Sequence, residues 1–109
     1  MTRVSIGSRR TRLVIEAPTE TPDGAGGAVV TWVDAGSCWA RVRPYGGREA
    51  ENRDQLAGEV GLEVTLRWRD DIGPRNRFRI GDRIIAISSA VDPDGRRRVL
   101  VCRCTETQI

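Results

Sequence analysis

Apolar and polar residues alternate with a period of two along most of the chain. In LEVTLRWR, residues 62–69, every even position is apolar and every odd position is polar. This alternation is typical of a strand with one face buried and the other in solvent. Shorter stretches with the same period lie at residues 12–17, 38–43 and 77–80, whereas 83–91 and 98–104 are β-rich and more apolar on both faces. The pattern predicts strands along most of the chain, with Trp68 and Phe78 on buried phases.

Turn signals separate these stretches. DPDG, residues 92–95, lies between two strand-like runs and predicts a hairpin, because proline presets φ and glycine accepts positive φ. Gly81-Asp82 predicts a tight corner, and Gly73-Pro74 predicts a loop. Closing the sheet on itself removes exposed strand edges in so short a chain. We therefore expect one all-β domain over residues 1–109, a small antiparallel β-barrel of about five to seven strands.

One segment departs from the β pattern. Residues 47–58, GREAENRDQLAG, contain good helix formers and end on a glycine that can cap a helix. Their only apolar side chains are Ala50, Leu56 and Ala57, which gives a helix little to pack on its own barrel. We expect one short helix in an inserted loop at about residues 46–58. It is either mobile in the isolated subunit or packed on another molecule, and the two are compatible.

Composition and charge limit the classes of function. The 109 residues are 39% hydrophobic and 30% charged, as in ordinary soluble domains, and neither a membrane span nor a signal peptide is expected. All 18 basic side chains are arginine, which reflects either codon bias or a surface that faces a polyanion. Acidic residues lie in the middle of the chain between basic segments. This distribution suits pairing between subunits at least as well as nucleic-acid binding.

The inventory of reactive side chains argues against catalysis. The chain has no histidine, so the usual general base and metal ligand are missing, and Asp70-Asp71 is best interpreted as a solvated turn. The three cysteines, Cys38, Cys102 and Cys104, are an odd number and suit buried free thiols better than disulfides. We expect no catalytic residue, no metal site and no cofactor.

A glycine cluster precedes the second strand, in TPDGAGGAVVTWVD at residues 21–34. A P-loop ends in Gly-Lys-Ser/Thr, and this chain has no lysine. A dinucleotide fingerprint needs a strand before the glycines and a helix after them, whereas here a strand follows. We therefore expect a flexible hairpin connection at about residues 18–28 that serves as a docking arm, with Gly24 to Gly27 mobile in the free subunit and ordered by contact in an assembly.

Aromatic residues are few, which bears on an alternative function. A basic barrel is compatible with an OB-like protein that binds single-stranded nucleic acid by stacking bases on aromatic side chains. Trp39 and Tyr45 fall on polar or loop phases and are expected to be exposed. Two aromatics make a small stacking surface, and they suit a protein interface equally well.

The order of several motifs resembles a known family. Several motifs follow one another through nearly the whole chain: DGAGG and then TW, WARVRP before the helical segment, RFRIGDRIIAI, and DPDGRRR. The chain resembles the head-tail joining proteins of tailed bacteriophages, called head-closure or stopper proteins, including those of phage-like gene transfer particles. Adaptor proteins of the same region are typically more helical, so the stopper is the closer resemblance.

The resemblance implies a structural role in a virion. It implies a homo-oligomeric, dodecameric ring beneath the portal and adaptor, with a tail terminator or tail tube protein below. It also implies that double-stranded DNA passes through the ring without sequence-specific contacts and that the segment at residues 46–57 closes the channel. Such a ring is assembled in the bacterial cytoplasm and becomes part of the virion.

Candidate residues follow from strand phase together with this resemblance. The candidates for a surface that faces the channel and its DNA are Arg41, Arg43, Arg48 and Arg53. The candidates for contacts between subunits or rings are Trp39, Tyr45, Glu49, Glu51, Asp54, Gly24, Gly26 and Gly27.

Overall fold

The computed structural model describes residues 10–44 and 59–107, and within these ranges all regular secondary structure is β. The six strands are β1 (Thr11–Pro22), β2 (Ala28–Pro44), β3 (Glu59–Arg67), β4 (Arg77–Ile80), β5 (Arg83–Val91) and β6 (Val99–Thr107). Both the all-β class and the expected number of strands are confirmed. The helix expected at about residues 46–58 lies outside the described residues.

The strands form a closed barrel in the order β1-β2-β3-β6-β5-β4, and all neighbours are antiparallel. The closing contact is short: only Val14–Glu16 of β1 pair with Arg77–Arg79 of β4. Closure pairs most of the wall, but β4 is short, so residues 11–13 of β1 and 87–91 of β5 each pair with one neighbouring strand only.

Apolar side chains on the inward phase of each strand fill the barrel. The largest fully buried ones are Phe78, Leu13, Ile15, Ile85, Val64 and Cys102. Cys102 and Cys104 are free and buried, and burial raises the pKa of each thiol to about 12, so they serve as small apolar side chains. Trp68 is half-buried against this core, with the Arg97 guanidinium 5.1 Å from its ring centre.

Two hairpin turns occur where the sequence predicts them. Between β5 and β6, the Asp92 carboxylate accepts hydrogen bonds from the backbone N–H groups of Gly95 (3.1 Å) and Arg97 (2.8 Å). Gly95 takes a φ of 72°, which few other residues tolerate. Between β4 and β5, Gly81 has a φ of 58° and forms the tight corner. Local turn chemistry is thus sufficient to locate both hairpins.

The first hairpin extends well beyond the barrel. Residues 17–22 of β1 pair only with residues 28–33 of β2, and within the described chain no other strand pairs with them. We call residues 17–33 the arm. At roughly 3.3 Å per residue, the six residues of β1 after Glu16 carry the arm about 20 Å outward. This projection agrees with the elongated shape of 53 × 33 × 26 Å.

The predicted flexible connection at about residues 18–28 is therefore wrong in its extent. The strand pairing continues to Pro22 and Ala28, so only residues 23–27 form the turn. Pro18 and Pro22 fit into β1 because proline is tolerated in a strand whose outer edge has no partner. They lie opposite Trp32 and Ala28, and the β-branched residues of β2 pair with the positions between and beside them.

A β-bulge marks the junction between arm and barrel. The register changes between the pairs Val14–Ser37 and Glu16–Asp34, so two residues of β2 lie opposite Ile15 alone. One of the two is Gly36, whose φ of 126° favours glycine, and its N–H donates to the Asp34 carboxylate at 2.7 Å. The bulge lets β2 leave the curved barrel wall and continue into the straight ribbon.

Candidate interaction surfaces

Outward side chains of β2 and β3, with the start of β6, form a groove that also reaches the buried Ala40 and Leu66. It encloses about 220 Å³, and we call it the Trp39 groove. Its lining residues are Arg10, Trp39, Ala40, Arg41, Thr65, Leu66, Arg67, Arg98 and Val99. The strand register produces this grouping, because the pairs Arg41–Thr65 and Arg67–Val99 align outward residues of three neighbouring strands.

Trp39 is the most exposed large hydrophobic residue in the described part of the chain, with 59% of its surface in solvent. Trp39 also lines a second concavity of about 380 Å³, together with Cys38, Arg67, Trp68 and Arg69. The sequence prediction that Trp39 is exposed is confirmed. An exposed indole that lines two concavities is a typical anchor for a partner protein.

The Trp39 groove is strongly cationic. Four of its lining residues are arginines and none is acidic. Arg98 is paired with Asp94 at 2.6 Å, whereas Arg41 and Arg67 form no ion pair with any described residue. Unneutralised guanidinium groups beside an exposed indole form a surface suited to a carboxylate or a phosphate.

Arg41 and Arg43, both predicted to face the channel, have different surroundings. Each lies on the outward phase of β2 as expected. Arg43, however, is paired with Glu63 at 2.9 Å, and Arg103 approaches the same carboxylate at 3.7 Å. Glu63 offsets much of the charge of Arg43. Of the two, only Arg41 has no ion pair with a described residue.

The arm is acidic where the groove is basic. Residues 17–33 contain two carboxylates, Glu20 and Asp23, and no arginine, and Asp34 follows them directly. Glu20 is exposed and forms no ion pair within the described chain, and it lies directly opposite Val30, which is 50% exposed. Asp23 and Asp34 instead accept hydrogen bonds from nearby backbone N–H groups. Glu20 is thus the arm carboxylate available to a partner, beside an exposed apolar side chain.

The turn at the end of the arm is hydrogen-bonded. The Asp23 carboxylate accepts from the N–H groups of Ala25 (2.8 Å) and Gly27 (3.0 Å), and these bonds lower its pKa. Gly24 and Gly26 both have positive φ, and a Cβ on either would meet open space. These glycines, predicted as interface residues, therefore have a conformational role in the turn, and their part in an interface stays a prediction.

A buried carboxylate joins the arm to the barrel. Glu16, 6% exposed, accepts from Arg77 Nε at 2.7 Å and from Arg79 Nε at 2.8 Å. Burial acts to raise the pKa of Glu16, but the hydrogen bonds from Arg79 and Arg77 outweigh it and the pKa is lowered. The Arg77 guanidinium also lies 4.2 Å from the centre of the Trp32 ring on the arm.

This cluster of Glu16, Trp32, Arg77 and Arg79 was not identified from the sequence. In the sequence this cluster is visible only as a glutamate on an outward phase of one strand and two arginines, two residues apart, on another strand. Which strands become neighbours when a barrel closes is not encoded locally, so the pairing of β1 with β4 was needed to reveal it.

A second buried carboxylate lies towards the end of β6. Glu106, 5% exposed, follows Leu100, Cys102 and Cys104 on the inward phase, and Arg83 binds both of its oxygens at 2.7 and 2.9 Å. The hydrogen bond from Arg83 lowers the pKa of Glu106. Because every buried side-chain polar atom in the described residues has a partner, both buried carboxylates are accounted for as structural ion pairs.

The remaining candidates are distributed as follows. The turn interpretation of Asp70-Asp71 agrees with the structure, in which Arg69 holds Asp71 through two hydrogen bonds of 2.9 and 2.8 Å. No group of three metal-ligating side chains and no helix able to cross a bilayer occurs within residues 10–44 and 59–107. The predicted residues Tyr45, Arg48, Glu49, Glu51, Arg53 and Asp54 lie outside the described residues.

Comparison with known proteins identifies relatives of the whole domain. The family model described as phage head completion protein matches residues 4–107. A chain from the virion of a native gene transfer agent particle is similar with a TM-score of 0.72 and 27% identity, over 93% of this chain and 98% of that one. A solution structure of a Shigella flexneri 2a protein gives 0.71 and 26%, over 94% and 96%. The comparison with curated proteins finds no match.

Proposed function

The chain belongs to the phage head completion protein family, and from this premise we propose that it is a head-closure connector that joins a DNA-filled head to its tail. Family membership makes it a structural component of the virion. The finer proposal is that copies of the chain form a ring beneath the portal and adaptor, continue the DNA channel, and present a surface to the tail.

The observation that carries this proposal is the family match over residues 4–107, joined to the likeness with a chain of a gene transfer agent virion. That likeness covers nearly all of both chains, so it concerns the complete domain. The resemblance noted from the order of motifs agrees with both. The family consists of structural virion proteins, and the proposal accordingly needs no catalytic group.

The shape of the described chain supports a role in assembly. A closed barrel gives a rigid body, while the arm and the Trp39 groove present unpaired charge and apolar surface at separate places. Copies related by rotation and joined by two different surfaces form a ring if the rotation closes. We expect double-stranded DNA to pass through such a ring with weak, sequence-independent phosphate contacts.

The alternative, a free protein that binds single-stranded nucleic acid, has less support. Stacking needs several exposed aromatic side chains along a strand path. In the described residues Trp39 is the one exposed aromatic; Trp32 and Trp68 are half-buried and Phe78 is buried. This surface is better suited to a protein interface.

Removing the gene from its phage or gene transfer element tests the proposed function. We expect heads that package DNA but carry no tail, seen by electron microscopy as full or leaking capsids beside free tails. Expression of the full chain from a plasmid should restore tailed particles. Normal tailed particles without the protein would contradict the proposal, and empty heads that never package DNA would point to an earlier step.

A further inference from the structure

We propose that the arm of one copy docks into the Trp39 groove of a neighbouring copy, with Glu20 placed between Arg41 and Arg67 and Val30 packed on Trp39. This inference rests on the proposed function, because it names the contact that joins subunits of the connector. It also assigns a partner to the two surfaces whose charges the barrel itself leaves unpaired.

The two surfaces are complementary both in charge and in apolar contact. On the arm, an exposed carboxylate and an exposed valine are cross-strand neighbours on the same face. In the groove, unpaired guanidinium groups flank an exposed indole. An arginine–carboxylate pair and an aliphatic–aromatic contact form together when the arm enters, and charge complementarity of this kind fixes register as well as attraction.

An arm cannot reach the groove of its own chain. The arm continues β2 outward, and Val30 lies nine residues from Trp39 along that strand. At roughly 3.3 Å per residue the separation is about 30 Å. The ion pairs of Glu16 with Arg77 and Arg79, and the packing of Arg77 on Trp32, hold the base of the arm against the barrel. The partner groove must belong to a second molecule.

A contact between two different surfaces of the same chain is heterologous. Each copy then offers one arm and one groove, so every subunit of a closed ring is bound on both sides. In this arrangement Arg41 lies in the interface between subunits. The inference therefore competes with the prediction that Arg41 faces the channel, and the two make different predictions for substitutions.

Charge reversal tests the contact in assembling particles. The variants Glu20→Arg and Arg67→Glu should each reduce the yield of tailed particles by about tenfold or more, as expected for loss of about 1.4 kcal/mol at a charged contact. The double variant should recover to within about threefold of the unaltered chain, because the two reversed charges again attract.

Matched controls use charged residues that belong to neither surface. Arg75 and Asp82 are exposed, do not line the Trp39 groove and form no ion pair with a described residue, so Arg75→Glu and Asp82→Arg should leave particle yield unchanged. Circular dichroism of each purified variant establishes that the barrel is folded. Folded single variants with normal yield, or a double variant no better than either single, would overturn the inference.

Photocrosslinking identifies the partner directly. A benzoylphenylalanine introduced at Val30 in assembled particles should link to a second copy, within the segments that contain Trp39 or Arg67. The same group at Thr31, which points to the opposite face of the arm, should not link to those segments. Links from Val30 to a portal or tail protein would refute the assignment while leaving the connector role intact. If Arg67→Glu alone impairs assembly and no such link forms, the groove binds another partner, and DNA is then the first to test.

Discussion

At the scale of single residues, charged side chains divide into those that form ion pairs within the described chain and those that do not. Glu16 and Glu106 are almost fully buried, and each is held by arginine hydrogen bonds that lower its pKa. Arg43 shares Glu63 with Arg103. Glu20, Arg41 and Arg67 have no such pairing in the described chain, and these three carry the proposed contact between subunits. Paired charges thus stabilise the barrel, and the proposed contact between subunits uses charges that no described residue pairs.

Removing the charge of Glu16 should destabilise the barrel without unfolding it. Glu16→Gln loses two charge-assisted hydrogen bonds, but Arg77 and Arg79 are partly exposed and can be solvated, so we expect a loss of about 1–3 kcal/mol. Urea denaturation near neutral pH measures this loss. Glu20→Gln, at an exposed and unpaired position, is the matched control and should change stability by less than about 0.5 kcal/mol.

The same carboxylate predicts a dependence on pH. Because the pKa of Glu16 is lower in the folded chain than its ordinary value of 4.5, its stabilising effect is present above that value. It is lost as the pH falls from 4.5 through the lowered folded-state pKa. Unfolding free energies of the unaltered chain and Glu16→Gln should therefore converge in this acidic range, and a constant difference would contradict the assignment.

At the scale of elements, the arm is the feature that departs most from what the sequence indicates. The strands of the barrel were predictable because burial of one face imposes a period of two, and both hairpin turns were predictable from proline, aspartate and glycine. The turn of the arm has the same proline, aspartate and glycine, but its strands are largely exposed, so no burial pattern marks them, and proline at positions 18 and 22 argues against a strand. The groove could not be predicted from the sequence for another reason. Arg67 and Trp39 come together only through the register between strands, which local sequence does not encode.

Hydrogen exchange should show the arm becoming protected on assembly. Only the cross-strand bonds of a two-stranded ribbon protect its amides in the free subunit, and a ribbon of this kind is marginally stable by itself. We expect amides of residues 18–33, including Gly24 to Gly27, to exchange more slowly in the particle than in the free chain. Amides of β3 and β6, which are paired on both sides, serve as the internal reference. Equally fast exchange of the arm in both states would show that its tip is only a turn.

At the scale of the whole molecule, the chain separates a rigid barrel from an acidic projection. The net charge of +3 does not reveal this division, because it sums the negative charge of residues 17–35 and the positive charge of the groove. A molecule with two complementary surfaces at different places is suited to heterologous association, in which each copy binds the next one. This property agrees with membership of the head completion family and was only partly predictable from the alternating charge of the sequence.

The most direct test of the connector role is the structure of the neck in an intact particle, determined by cryo-electron microscopy. We predict a closed ring of six-stranded barrels, built from this chain alone, between the portal side of the head and the first ring of the tail. Each arm should lie against the Trp39 groove of the next copy. Density for the barrels elsewhere in the virion, or a neck in which head and tail join without them, would contradict the account.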